Sequence, residues 1–245
     1  MSRLFLLIIV TIFCVQASPI FAQTFSIEQK KALEKIIKNY LIDNPLIIKE
    51  ALEALHTQEK KGQQSRIEKL INNRKKELLD DPMAPFAGNQ KGDVTIVEFF
   101  DYNCGYCKQV WPTLRKLVEK DKNVRIIFKE LPILGPTSLL AAKAALAADR
   151  QGKYIEFHTE LMQTRSINER IIKVICDKLN IDQNLLEKDM KLPSIVMALQ
   201  KNAMLAQDLE VNGTPAFLIG RQIIPGAIGL DQLIELVAAE RSAKQ

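Results

Sequence analysis

From Val94 to Phe100 the chain is an almost unbroken apolar run, rich in β-branched and aromatic residues, as expected of a strand covered on both faces. Beyond it the period changes. Val110, Trp111, Leu114, Leu117 and Val118 recur at three- and four-residue spacing, which predicts an amphipathic helix whose first turn carries Cys104-Gly105-Tyr106-Cys107. Val124 to Lys129 is a second apolar run, and the strand-helix-strand order predicts a parallel pair with a right-handed crossover. Residues 137–210 have helical spacing throughout, interrupted by short turns. The pattern returns to strand at Ala216 to Ile219, turns at Gly220-Arg221, continues with Gln222 to Ile224 and closes with a helix from Leu230 to Ala239.

Ahead of the first strand the pattern is different. Arg3, the apolar stretch Leu4 to Val15 and the small-residue site before Gln23 predict a cleaved export signal over residues 1–22. Phe25, Ile27, Leu33, Ile36, Ile37, Tyr40 and Leu41 then lie on one helical face behind Ser26 as N-cap. Asp43-Asn44-Pro45 breaks this helix, and Asn44 as N-cap with Pro45 in the first turn starts a second, running to about Leu79. Its early apolar face is Ile48, Ala51, Leu52 and Leu55, whereas Thr57 to Arg66 is polar all round and contains Gly62. Such a segment bridges solvent, so the apolar face ahead of it needs a partner. Asp80 to Pro85, with the turn-prone stretch Gly88 to Gly92, marks a domain boundary.

Composition narrows the chemistry. The formal charge of +5 is spread through the sequence, a solvated surface without a nucleic-acid stripe. There are four cysteines and two histidines. No second C-x-x-C and no H-x3-H follows Cys104 and Cys107, so zinc is not expected; Lys108 stands where a haem-attachment motif needs His. A purely structural disulfide would close too short a loop to be a good staple. At a helix start, free N–H groups and the positive dipole end favour a thiolate on Cys104, and Cys107 three residues on shares its face. Cys14 falls in the signal, and Cys176, at helical spacing with Ile172 and Leu179, is expected to be a small buried hydrophobe.

The string EFFDYNCGYC resembles the active-site strand and helix start of DsbA-like thiol:disulfide oxidoreductases, and the resemblance continues through FKELPILG (128–135), YIEFHTELM (154–162) and NGTPAFLIG (212–220). It implies an α/β thioredoxin fold with a large helical insertion, and thiol-disulfide exchange in which Cys104 attacks as the exposed thiol and Cys107 resolves the mixed disulfide. It implies no metal and no organic cofactor. Glu98, in an apolar strand, is then the acid that exchanges a proton with Cys107, with a raised pKa, and Lys129 matches the position of a basic partner for it. Asp101 and Glu130 are nearby acids without an assigned role. Pro215 corresponds to a cis proline facing the cysteines, with the Thr214 backbone, Gly105 and Tyr106 beside the bound client. The Gly-Tyr dipeptide and the Thr before the proline resemble isomerases of the DsbC type, and the single helical insertion resembles the oxidases.

The amino-terminal helices resemble the oligomerisation segment of the subgroup that includes ScsC. The expected organisation is therefore a signal at 1–22, a helical oligomerisation arm and linker at 23–80, and a catalytic domain at 81–245 with its insertion at about 137–210. Implied partners are exported client proteins with cysteines, a membrane redox partner of DsbB or DsbD type, and a second copy of the chain joined through residues 24–56, a dimer ahead of a trimer; no nucleic acid is expected. The implied location is the periplasm, where disulfides form. A different class stays open: a non-catalytic envelope binding or structural protein, or one that sequesters copper through its thiols.

Overall fold

The structure, a computed structural model, describes residues 25–244, so the expected signal lies outside the described residues. The chain divides into two compact units at Gln58 and Glu59. The first contains α1 (Ile27–Asp43) and the start of α2 (Pro45–Asn73). Ser26 caps α1 in a reciprocal box with Gln29. Asn44 does not cap α2: its side chain donates to the Tyr40 carbonyl at 2.9 Å and closes α1. No residue of α1 is buried, and Ile36, Ile37, Tyr40, Ile48, Leu52 and Leu55 are all exposed.

The second unit is built on a five-stranded sheet. After α3 (Lys75–Leu79) come β1 (Phe86–Gly88), β2 (Val94–Phe100), α4 (Gly105–Lys120) and β3 (Val124–Glu130). The helices α5 (Pro136–Asp149), α6 (Tyr154–Gln163), α7 (Glu169–Leu179), α8 (Gln183–Asp189) and α9 (Pro193–Asp208) follow. The chain ends with β4 (Ala216–Ile219), β5 (Gln222–Pro225) and α10 (Leu230–Ala243). The strand order is β1-β3-β2-β4-β5, with β2 and β3 parallel and the other pairs antiparallel. This is the expected thioredoxin arrangement with its helical insertion. The short β1 falls where the sequence reads as turn. Gly88 sits at φ +84, where a Cβ would run into the Val124 carbonyl, so the same glycine that suggested a turn permits the close strand approach.

Alternation along β2 sends side chains to two cores. Val94, Ile96 and Phe100 face α4, α10 and the inserted helices; Val97 and Phe99 face a smaller cluster with Ile127, Leu131, Leu205, Leu209 and Leu218. Ile67 and Ile71 of α2 and Leu78 of α3 belong to that second cluster. The division between units therefore lies upstream of the break expected at Asp80, and the stretch assigned to a linker completes one layer of the catalytic domain. Gln64 donates to the Arg221 carbonyl at 2.9 Å, so the polar middle of α2 is also engaged.

Lys129 requires a correction. In the parallel register Glu98 pairs with Phe128 and Phe99 with Lys129, so Lys129 shares the face of Phe99 and lies across the sheet from Glu98. Its ammonium, fully buried, donates to Asp81 Oδ2 at 3.0 Å, and Lys201 reaches the same oxygen at 3.2 Å. Burial works against the Lys129 charge and Asp81 supports it. Lys129 thus ties the segment after α3 to the sheet and is no partner of the strand acid.

Two substitutions check this second layer. Ile71→Ala is expected to lower the unfolding free energy by about 2–4 kcal/mol through the cavity it leaves. Asp81→Asn, which leaves a buried ammonium without its anion, is expected to cost about 3 kcal/mol. Urea unfolding of both variants measures the losses, and wild-type stability in either would place the segment outside the folded unit.

Candidate active site

The end of β2 delivers the chain into a loop held by one carboxylate. Asp101, buried at the strand end, accepts from the Asn103 N–H (2.7 Å), the Leu134 N–H (2.9 Å) and the Ser138 hydroxyl (2.7 Å). Asn103 in turn donates to Thr137 and Ser138, so the loop is pinned to the first turn of α5. Cys104 follows as N-cap of α4 in extended conformation, and the Cys107 N–H donates to its Sγ at 3.4 Å. On the other side the Cys104 thiol donates to the Thr214 carbonyl at 3.1 Å, next to a cis Thr214–Pro215 peptide. Two segments about 110 residues apart in sequence thus meet at one sulfur.

Cys104 is less open than the sequence suggested. It keeps 6% exposure because the Thr214 segment covers it, while Cys107 has none. Both are free thiols, as is the buried Cys176, whose pKa burial and Asp177 push up to about 11. Tyr106 is 64% exposed and a Cβ on Gly105 would meet nothing, so the dipeptide between the cysteines faces outward.

Glu98 lies on the same sheet face as α4. Its register neighbours are Phe128 on β3 and Phe217 on β4, both buried. Neither carboxyl oxygen finds a hydrogen-bond partner among the described residues. Burial, and secondarily the charge on Cys104, raise its pKa from 4.5 to about 8. Burial, and secondarily Glu98, push the Cys107 thiol far up as well. The two groups therefore hold protons at neutral pH and disfavour each other's ionisation.

A second polar group lies beneath the site, of which only Glu130 stood out in the sequence. Tyr102 and Tyr154 donate to Glu130 Oε1 at 3.1 and 2.8 Å, and His158 Nδ1 lies 2.9 Å from the Tyr102 hydroxyl. Because the Tyr102 proton points to Glu130, the Nδ1–H of His158 is assigned as the donor to Tyr102. Burial lowers the His158 pKa to about 3, so the ring is neutral at physiological pH. It packs at 4.5 Å from Trp111 of α4 and 4.8 Å from Phe128. Burial raises the Glu130 pKa well above the usual carboxylate value, and the hydrogen bonds from Tyr154 and Tyr102 offset only part of that rise. Tyr154 and His158 stand four apart on one helical face, the spacing from which the sequence could have placed them together. Among the described residues no group of three or more His, Cys, Asp or Glu is placed to hold a metal ion, and no helix is long and apolar enough to cross a membrane.

Residues 95–238 match the DSBA-like thioredoxin domain, and residues 29–61 match the copper resistance protein ScsC N-terminal domain. The structure of a thioredoxin-like oxidoreductase from Silicibacter pomeroyi is 42% identical, with a TM-score of 0.67, covering 68% of this chain and 97% of that one. Proteus mirabilis ScsC in a transitional conformation is 30% identical, with a TM-score of 0.67, covering 89% of this chain and 100% of that one. The chain spans about a quarter of the curated Na(+)/H(+) antiporters it matches: with NhaA 1 of Salinispora arenicola it is 26% identical over 155 residues, 62% of this chain and 24% of that protein. With a cysteine pair at a helix start, a cis proline against the first sulfur and a match over residues 95–238, the chain belongs to the DsbA-like thioredoxin family of thiol-disulfide oxidoreductases.

Proposed function

We propose that the protein is an exported, periplasmic thiol-disulfide exchange enzyme that both forms and rearranges disulfides in client proteins. The observation that carries this reading is the Cys104 sulfur held between the Cys107 N–H and the Thr214 carbonyl, with Glu98 buried on the same sheet face. In the reducing direction the Cys104 thiolate attacks one sulfur of a client disulfide; the other client sulfur leaves as thiolate, and Cys104 is joined to the client. Glu98, having first released its own proton to solvent, then takes the Cys107 proton as Cys107 attacks Cys104 Sγ, releasing the client thiolate and closing the Cys104–Cys107 disulfide. Oxidation of a dithiol client is the same sequence in reverse, with Glu98 returning the proton. Once Cys104 is in a disulfide its sulfur carries no hydrogen, so the Thr214 carbonyl is free to accept from a client backbone N–H.

Isomerisation requires a misfolded client to be held while Cys104 attacks. A homo-oligomer, as a dimer through residues 24–56, would raise the local concentration of binding sites. The exposed apolar positions Leu33, Ile36, Tyr40, Leu52 and Leu55, and the match of residues 29–61 to the ScsC N-terminal domain, support it. The copper-resistance name of that domain favours a second reading, in which the thiols sequester copper. Cys104→Ala separates the two: loss of turnover on a scrambled substrate supports exchange, and unchanged turnover removes it.

Three outcomes test the roles. Cys107→Ala is expected to accumulate clients as mixed disulfides on Cys104, seen as reducible bands on non-reducing gels; a reactive Cys104 with no adducts would contradict the assignment. Deleting residues 23–58 is expected to leave a folded, redox-active monomer by sedimentation, with isomerase activity lost and oxidase activity gained; an oligomeric truncation would move the assembly surface elsewhere.

The third outcome follows from the pKa of Glu98. Its raised folded value means that stability from this group is full below about 4.5 and is lost as pH rises through about 8. Glu98→Gln, neutral at all pH, removes that dependence. Relative to wild type it is expected to gain roughly 3 kcal/mol between pH 4.5 and pH 7, while resolution by Cys107 slows more than attack by Cys104. A pH-independent stability difference, or equal slowing of both steps, would show that Glu98 is not the proton carrier.

A further inference from the structure

A groove of about 930 Å³ opens beside the Thr214–Pro215 peptide, and one of its walls is α2. Its apolar lining comes from Ile67, Val211, Ile223 and Pro225, the last two from β5, the terminal strand of the sheet. Asn212, Gly213 and Thr214 continue it toward the cysteine pair. All of these belong to the compact unit that begins at Glu59. Three charged residues line the groove: Lys60, Lys61 and Glu210. Glu210 is already taken, by Arg66 and by the Gln63 amide at 2.8 Å, both from α2. The charge that meets an occupant is therefore that of two exposed lysines on the α2 wall.

We propose that this α2 wall is a specificity element: the groove takes an extended client segment whose apolar side chains enter the floor and whose acidic side chains, near the reacting cysteine, face Lys60 and Lys61. The proposal rests on the reading above that Cys104 exchanges with client proteins, and it names which clients are preferred. An extended chain laid beside Thr214 alternates its side chains between floor and rim, which is the pattern an apolar lining with a charged lip selects. Charges at such a rim act on encounter rate and partner choice and are screened by salt. The base of α2 thereby has a role apart from assembly.

The test separates binding from chemistry. Two fluorescein-labelled peptides of one apolar sequence, with Ser in place of the reacting Cys and either Asp and Glu or Lys at the flanking positions, are titrated with the full chain in low salt. The acidic peptide is expected to bind roughly fivefold or more tightly than the basic one, with the preference fading at about 0.5 M salt. The double variant Lys60→Glu with Lys61→Glu is expected to reverse the order, and Lys60→Arg with Lys61→Arg to keep it. Equal binding of the two peptides, or a preference that survives charge reversal, would overturn the proposal. In a parallel arm the wild-type protein is treated with hydroxyethyl disulfide, which is uncharged and too small to reach the lysines. Failure of Cys104 to react there would sink the exchange reading while leaving the binding result to stand as evidence for the groove.

Discussion

One sulfur atom bears two constraints that cannot be met by local structure. The Cys104 thiol takes a hydrogen bond from the start of α4 and gives one to the Thr214 carbonyl, so the β2–α4 junction and the β4 entry must be held in register to within hydrogen-bond tolerance. The surroundings supply this from several directions. Asp101 fixes the loop to Leu134 and to Ser138 of α5, the Tyr102–Glu130–His158 group ties the same loop to β3 and α6, and Gly226 N–H donates to the Pro215 carbonyl at 2.8 Å from the far side of the β4–β5 hairpin. Buried polar groups this well connected specify one arrangement of the elements they join.

The sheet also separates two tasks by face. The face that carries Glu98 and Glu130 places acids among aromatic rings beneath α4; the opposite face carries Lys129, paired with Asp81, and the apolar cluster that includes Ile67, Ile71 and Leu78. Placing the buried cation across the sheet from Glu98 leaves that acid without a countercharge among the described residues. The consequence for assembly is equally direct. Because the inner part of α2 is needed to cover β2 and β4, its apolar residues are used within the domain, whereas those of α1 and the outer part of α2 are exposed.

Much of this was legible in the sequence wherever the cause was local. The apolar run of β2, the change of period into α4 and the punctuation around Pro215 each rest on a few neighbouring residues, and each element forms there. What was not legible depended on register or on distant contacts. Lys129 is assigned as the partner of Glu98 by the resemblance alone, and the parallel register, which sequence spacing does not fix, places it on the opposite face. Glu130, Tyr102 and His158 lie on three elements brought together only by the fold. Ile67 and Ile71 keep helical spacing but stand among charged residues, so their burial was hidden until α9 and β4 were in place beside them. β1, with three residues, is too short to show any period.

In the proposed reaction, the absence among the described residues of a counterion beside Glu98 is what suits that acid to carry a proton. A basic partner would hold the carboxylate ionised, which would stabilise the fold and leave no proton to move. A hydrogen-bond donor would act in the same direction. Between Phe128 and Phe217 the acid instead stays neutral to about pH 8, close enough to neutrality that taking or giving a proton costs little on either side. Cys107 needs such a neighbour because burial raises its own pKa far above neutrality. In the proposed mechanism, ionised Glu98 and an anionic Cys107 disfavour each other, so the fraction of Glu98 that has released its proton takes the thiol's proton as the new S–S bond forms and returns it when that bond is broken. The unsatisfied carboxyl is thus a cost in stability that the fold carries at the position where the proposed resolution step needs a proton acceptor.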